Sequence, residues 1–258
     1  MEAIDKRIIY YLLKDGRMSQ KKIAEELGIS PQALNYRLSK LVENGQIKRF
    51  ALHIAPEFLG RTQGFAAFRT DMDYEENIFS RFKCLEEITI LGFHGNEKMD
   101  LNSAMEKAYQ KLGKPIMNYT PPPNQEVRNV GKTDRNLIEI LKNDPRAPIS
   151  SIAKRLSISN SSAKKRLNHL KDMRIASVIP ILDLSKTDAV IYLLFSDKSR
   201  EVLPAIVQSL IFQISDGKSS ISVCYSDSLE QAKKSIKNVR DVDEKSQVMV
   251  VYDYDFLN

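Results

Sequence analysis

"IAEELGISPQALNYRLSKL", Ile23–Leu41, and "IAKRLSISNSSAKKRLNHL", Ile152–Leu170, are two versions of one nineteen-residue pattern, 129 positions apart in a 258-residue chain. The register extends upstream without a gap. Asp5 falls on Asp134, Ile9 on Ile138, Leu12 on Leu141, Asp15 on Asp144 and Arg17 on Arg146. A period this long excludes a solenoid, so each copy is one or two whole domains. The residues that agree are mainly apolar, cap or turn residues. Those that differ are mainly polar.

Each copy opens with a helical spacing of apolar residues: Ile4, Ile8, Ile9, Leu12 and Leu13 in the first, Leu137, Ile138 and Leu141 in the second. The turns "KDGR" and "NDPR" follow, and then a short second helix around Ser19–Leu27 and Ile149–Leu156. Gly28 suits the left-handed position that ends a helix; Ser157 stands there in the second copy and is expected to be slightly strained. Ser30 and Ser159 occupy N-cap positions, with Pro31 at the first helical position. In the third helix Leu34, Leu38 and Leu41 share one face, as do Ala163, Leu167 and Leu170. The opposite faces carry polar side chains. "IKRFALHI" and "ASVIPILDL" read as strands that close each module. Three short helices, a tight turn and a β-ribbon describe a winged helix-turn-helix, whose third helix enters the DNA major groove. The expected readers are Gln32, Asn35, Tyr36, Arg37, Ser39 and Lys40 in the first copy, and Ser161, Lys164, Lys165, Arg166 and Asn168 in the second. The amides suit bidentate pairing with adenine; Arg37 and Arg166 contact phosphate or else brace the helix.

The charge partition agrees with this. The net charge is +6; residues 1–60 carry +3 and 134–186 carry +6, whereas 61–123 carry −1 and 187–258 carry −3. Positive charge gathered on the two modules is what phosphate contacts require. Cys84 and Cys224 are isolated, with no Cys/His cluster, so neither a zinc site nor a disulfide framework is indicated, and both are expected to be buried thiols. No catalytic, metal or cofactor constellation is read from the chain. No run of about 18 apolar residues indicates a membrane span, and the opening residues read as a helix and not as a cleaved signal, which points to the cytoplasm.

"DKRIIYYLLKDGRMSQKKIAEELGISPQALNYRLSKLVENGQIKRFALHIAPEFLG" resembles the N-terminal half of leucine-responsive/AsnC (Lrp/AsnC) transcription regulators, through "KDGR", "IAEELGIS", "RLSKLVENGQI" and "PEFLG". The resemblance covers residues 4–60 closely and 133–184 less so, and the second copy lacks the turn and exit glycines. It implies double-stranded DNA as partner, a small-molecule effector such as an amino acid, and a βαββαβ ferredoxin-like domain after each winged helix. The expected class is α+β in two repeats: winged helix 1–60, α/β sandwich 61–123, linker 124–133, winged helix 134–186 and α/β sandwich 187–258. In the first sandwich "GFAAFRT" reads as a strand, "YEENIFSRFKCL" as a helix, "EITILGFHG" as a strand, and "NEKMDLNSA" is too polar for the third strand. In the second, "AVIYLLF", "EVLPAIVQSLIFQ", "SSISVCY", "LEQAKKSIKNV" and "SQVMVVYDY" give the order more cleanly, with "EVLPAIVQSLIFQ" as helix. "SQVMVVYDYDF" and "AVIYLLF" are apolar on both faces, so a second sheet must cover one of them. That sheet could come from another chain or from the first repeat, and a homodimer is expected. Two rival classes remain. Siroheme decarboxylases resemble this family in both halves; they need imidazole or basic groups in a pocket, for which only His94 is suitably placed. A winged-helix protein-interaction factor is the other.

Overall fold

The computed structural model describes residues 1–122 and 131–257; most of the expected linker, residues 124–130, lies outside the described residues. The first winged helix comprises α1 (Ala3–Lys14), α2 (Gln20–Leu27), α3 (Pro31–Glu43) and β1 (Ile47–Ile54). Its counterpart comprises α5 (Lys132–Asn143), α6 (Ile149–Leu156), α7 (Asn160–Asp172) and β6 (Ala176–Leu182). After the first come β2 (Thr62–Arg69), β3 (Ile78–Cys84), β4 (Ile88–Gly95), α4 (Lys98–Leu112) and β5 (Met117–Tyr119). After the second come β7 (Val190–Ser196), α8 (Ser199–Ile206), β8 (Leu210–Ser215), β9 (Ser220–Ser226), α9 (Leu229–Val242) and β10 (Gln247–Phe256).

Both α/β units share one strand order. Counting strands within each unit, it runs fourth–first–third–second: β5-β2-β4-β3 and β10-β7-β9-β8. The second unit is βαββαβ, as expected. The first is not, and its departure differs from the expected one. All four strands are present, and the missing element is the first helix. "NEKMDLNSA" opens α4, and the segment expected as a helix around Ile78–Cys84 is β3. The reason lies in an alternation that the helical spacing hides. Phe82 and Cys84 point into the core, while Arg81 and Lys83 point out to Asp73 (3.5 and 2.8 Å). Residues 70–77 cross where a helix would lie, and Tyr74 is buried there against Phe93, ring centroids 6.1 Å apart. In the second unit the helix expected over "EVLPAIVQSLIFQ" stops at Ile206, and Leu210 begins β8.

The two sheets are joined through β10. Its first half pairs with β7 (Gln247–Val251) and its second half with β3 (Val251–Phe256). They also pack face to face. Tyr119 of β5 lies at the far edge of the sheet order from β7, yet its ring meets Phe195 of β7 at 6.2 Å. One core holds Phe65, Ala67, Ile88, Ile90 and Met117 of the first unit with Ile191, Leu193, Ile221, Val223 and Met249 of the second. The apolar faces that led to the expectation of a homodimer cover each other within one chain, so that argument for a second chain falls away.

The winged helices rest on this sandwich. Tyr10 of α1 donates to the Gln208 carbonyl (2.8 Å), Tyr225 of β9 donates to the Lys6 carbonyl (2.9 Å), and Lys6 pairs with Asp188 (2.6 Å). The first winged helix therefore sits on the second α/β unit. The second one packs around Leu52, Ile54 and Phe58, which belong to the first wing and the short 3-10 turn after it.

Because both sheets share one core, we expect a single cooperative unfolding transition. Leu193→Ala, at a position 2% exposed, should lower stability by about 2–5 kcal/mol across the whole chain. Urea unfolding followed by circular dichroism checks this. Two transitions, with only one displaced by the substitution, would contradict the shared core.

Candidate nucleic-acid interface

Each candidate reading helix is set by its cap and its apolar stripe. The Ser30 hydroxyl accepts from the Ala33 amide (3.1 Å) and Ser159 from the Ser162 amide (3.1 Å), with Pro31 in the first turn of α3. Leu34, Leu38 and Leu41 turn inward, as do Ala163 and Leu170, with Leu167 partly buried. The turn before α3 uses Gly28 at φ 65°, and the turn before α7 uses Ser157 at φ 53°. A side chain there costs roughly 1–2 kcal/mol, the strain anticipated for the serine.

The burial of the inner stripe leaves Gln32, Asn35, Tyr36, Ser39 and Lys40 exposed on α3, and Ser161, Lys164, Lys165 and Asn168 exposed on α7. The two faces differ in charge. Lys40 pairs with Glu43 (2.8 Å) and lies 5.8 Å from the centre of the Tyr36 ring, which is 64% exposed. Asn35 accepts from Gln20 at 3.4 Å. Lys164 and Lys165 have no carboxylate within 4 Å among the described residues. The first face is therefore amide- and tyrosine-bearing and nearly neutral, and the second is cationic.

Arg37 and Arg166 stand apart from the rest. Arg37 donates to Asp5 (3.0 Å) and reaches Glu2 (2.8 Å), and those carboxylates, Asp5 first, hold its guanidinium above its ordinary pKa. Arg166 donates to Asp134 (2.9 Å). In both copies the arginine ties the third helix to the first turn of the first helix, so its guanidinium is occupied and the bracing alternative fits the geometry.

Sequence reading left Arg17 and Arg146 without a role, although both survive between the copies directly after the turn. Arg17 crosses to the other winged helix and donates to the Pro145 and Ala147 carbonyls (2.6 and 2.7 Å). Arg146 stacks 4.5 Å over Phe50 of β1. Burial is the main cause that lowers the pKa of each; for Arg17 the nearby Arg146 charge adds to it. Lys171 of α7 pairs with Asp15 (3.0 Å). Between them lies the ribbon, in which β1 and β6 run antiparallel and Ala51 faces Ile179. The two helix-turn-helix units are thereby locked to each other. His53 of β1 lies half-buried between Phe79 and Phe256 (5.7 and 5.3 Å), where its surroundings push its pKa down to about 4 by desolvation. The two thiols are buried, and burial pushes Cys84 up to about 12 and Cys224 up to about 11.

The bracing role predicts unequal losses. Arg166→Ala strands Asp134, whose side chain is 6% exposed, and should cost about 1–3 kcal/mol. Arg37→Ala leaves Asp5 and Glu2 at 19% and 70% exposure, where water takes over, and should cost less. Denaturant midpoints of the two variants decide this, and a larger loss for Arg37→Ala would refute it.

A family model described as winged helix-turn-helix DNA-binding matches this chain twice, at residues 1–48 and 131–175. An uncharacterized HTH-type transcriptional regulator of Pyrococcus furiosus is 32% identical over 94 residues, which are 36% of this chain and 63% of that protein, so the chain spans less than two thirds of its length. Among solved structures, the siroheme decarboxylase NirDL aligns over 97% of this chain and 91% of its own at 13% identity and a TM-score of 0.48. An AsnC family transcriptional regulator from Agrobacterium tumefaciens aligns over 46% of this chain and 86% of its own at 13% identity and a TM-score of 0.34. Both matches to the family model fall on the winged helix-turn-helix modules that the β1–β6 ribbon joins.

Proposed function

We propose that this protein is a transcription regulator of the Lrp/AsnC type that binds double-stranded DNA through two unlike readers in one chain. The readers are the exposed faces of α3 and α7, within winged helices at residues 1–60 and 134–186. The α/β units at 61–123 and 187–258 set the two readers relative to each other. One observation carries the reading: the two winged helices are joined through the β1–β6 ribbon and the Arg17 bridge, while both third helices keep polar faces open. A regulator with one reader per chain obtains a second by pairing with a copy of itself, and the resulting interface is self-complementary. Here the equivalent pairing is internal. The duplicated halves act as the two subunits of a pseudo-dimer, and the matching site is an imperfect palindrome.

Arg37 and Arg166 are assigned to bracing in this reading. Contact with bases falls to Gln32, Asn35, Tyr36 and Ser39 in the first reader, where amides suit adenine. Lys164 and Lys165 in the second supply phosphate contacts, with Ser161 and Asn168 beside them. Among the described residues no helix is long and apolar enough to cross a membrane.

Two measurements test this. In mobility shifts, affinity should fall steeply with salt, and neutralising Lys164 and Lys165 to Gln should reduce the slope by about 0.9 per lost phosphate contact. The same change at Lys21 and Lys22 should do less, because Lys21 lies 3.8 Å from Glu25. Binding indifferent to salt would defeat the DNA reading, and equal losses would defeat the asymmetry. Light scattering should return the mass of one chain, 29.4 kDa, both free and at the onset of binding. Twice that mass for the free protein would mean that pairing continues between chains.

A further inference from the structure

Away from the core that the two sheets share, α4 packs on β2 and β4, and α9 packs on β9. Between these helices β3 pairs with the second half of β10, and among the described residues no helix lies over that seam. In the second unit α8 follows the first strand. In the first unit the connector of residues 70–77 stands in its stead and covers the seam only in part, through Asp73, which meets Arg81 and Lys83 of β3 (3.5 and 2.8 Å).

Three large apolar side chains stand exposed beside it. Leu85, in the turn after β3, is 66% exposed, Met72 of the connector 52% and Tyr252 of β10 40%. Their backbones and neighbours are tied together. The Leu85 amide donates to the Val250 carbonyl (2.9 Å), and the Val250 amide donates to Glu86 (3.4 Å). The Tyr252 hydroxyl donates to the Asp71 carboxylate (3.2 Å), next to Met72, and Lys83 donates to the Asp71 carbonyl (3.0 Å). Turn, strand and connector are thereby fixed to one another with their apolar groups outward. An exposed apolar patch with a polar rim marks an interaction surface, and groups already held in place lose little freedom on binding.

The rim sets the sign of the partner. Residues 69–87 hold six carboxylates and three cations, a net charge of −3. Two of those cations, Arg81 and Lys83, are turned inward on Asp73, with side chains 17% and 14% exposed. Glu75, Glu76, Glu86 and Glu87 are exposed and have no Lys or Arg within 4 Å among the described residues. Such a rim repels phosphate backbones and anionic lipid and attracts a cationic protein surface.

We propose that this seam docks a basic amphipathic helix of a partner protein. Its apolar stripe lies on Met72, Leu85 and Tyr252, and its Lys or Arg side chains reach the acidic rim. A helix suits the place because helices cover the neighbouring strands on this side of the sheet, and because apolar anchors at helical spacing match a short row of exposed apolar groups. The assignment does not rest on DNA binding and survives its failure.

The test uses the full chain with labelled methionine methyl groups, followed by nuclear magnetic resonance. The probe is a synthetic amphipathic peptide of leucine and lysine, about 15 residues or four helical turns long. The control is the same peptide with glutamate for lysine. The Met72 methyl signal, assigned through Met72→Leu, should shift saturably with the lysine peptide, with half-saturation at or below about 100 μM, and not with the glutamate peptide. Met99, 77% exposed at the start of α4, is the internal control. It lies past the far end of β4, whose eight residues span about 25 Å, and should stay put. Leu85→Ser removes an exposed side chain, should leave the fold intact, and should weaken binding by about tenfold or more. The proposal is overturned if neither peptide saturates, if the glutamate peptide binds as well, if Met72 and Met99 shift together, or if Leu85→Ser leaves the affinity unchanged. It is also overturned if the Met72 signal moves on dilution without peptide, which would make the seam a contact between copies of this chain.

Discussion

The antiparallel pairing of β1 with β6 is the constraint on which the rest of the structure depends. Each strand closes its own winged helix, and each would otherwise present an unpaired edge. By pairing, they satisfy both backbones and place the two modules side by side. The neighbouring contacts follow from it. The Gly16 amide donates to the Val178 carbonyl of β6 (3.0 Å), at an approach so close that a Cβ would meet that oxygen at 2.4 Å, so this position requires glycine. Arg17, one residue on, then reaches the facing turn. On the other side of the ribbon, Tyr254 of β10 donates to the Pro180 carbonyl (2.6 Å) and accepts from the Leu182 amide (3.2 Å). β10 is the strand shared by both sheets. The ribbon thus connects to the sandwich through a buried tyrosine and to the helices through a glycine and an arginine.

Within that frame the halves have kept their backbone and changed their surfaces. The aspartate–arginine brace recurs at Asp5–Arg37 and Asp134–Arg166, where it holds the third helix against the first. The residues beside it are free to diverge. Lys40 is compensated by Glu43, whereas Lys164 and Lys165 have no carboxylate within 4 Å among the described residues. The α/β units differ more deeply. In the first, a connector rich in carboxylates replaces a helix, with Tyr74 as its only large buried side chain. Lys83 and Arg81 of β3 reach back to Asp73 of this connector, so charge on a strand face takes over part of what helix packing does in the second unit.

The helices of both modules were legible because their signals are local. Ser30 with Pro31, Ser159, and the leucines at four- and three-residue spacing carry the reading without help from the rest of the chain. β3 was not legible for the opposite reason. Ile78, Phe79 and Phe82 lie at i, i+1 and i+4, which fits a helical face. Only pairing with β4 on one side and β10 on the other, nearly 170 residues away in sequence, makes the alternation at Arg81 and Lys83 decisive. β8 was lost in the same way, since "SLIFQ" continues the apolar run of α8 without a break. Among the candidate readers, the exposed residues were legible from the helical wheel alone. The occupation of Arg37 and Arg166 depends on Asp5 and Asp134, 32 residues earlier, and needs the tertiary structure. The need to cover a second apolar face was read correctly from β7 and β10; what sequence could not tell was that the cover lies in the same chain.

Under the proposed function, internal pairing changes what the two candidate readers can do. In a homodimer the second reader is a copy of the first, and its arrival depends on protein concentration. Here the facing surfaces are held by chain connectivity and by a shared core, so the second reader is present at an effective concentration set by the fold and not by the cell. Symmetry no longer forces the two faces to be alike. One can specialise in hydrogen bonding to base edges, and the other in phosphate charge, without either being duplicated where it is not wanted. The divergence of polar residues between Gln32–Lys40 and Ser161–Asn168, set against the leucines kept at Leu38/Leu167 and Leu41/Leu170 and the arginine kept at Arg37/Arg166, is the pattern that such a release from symmetry leaves in a sequence.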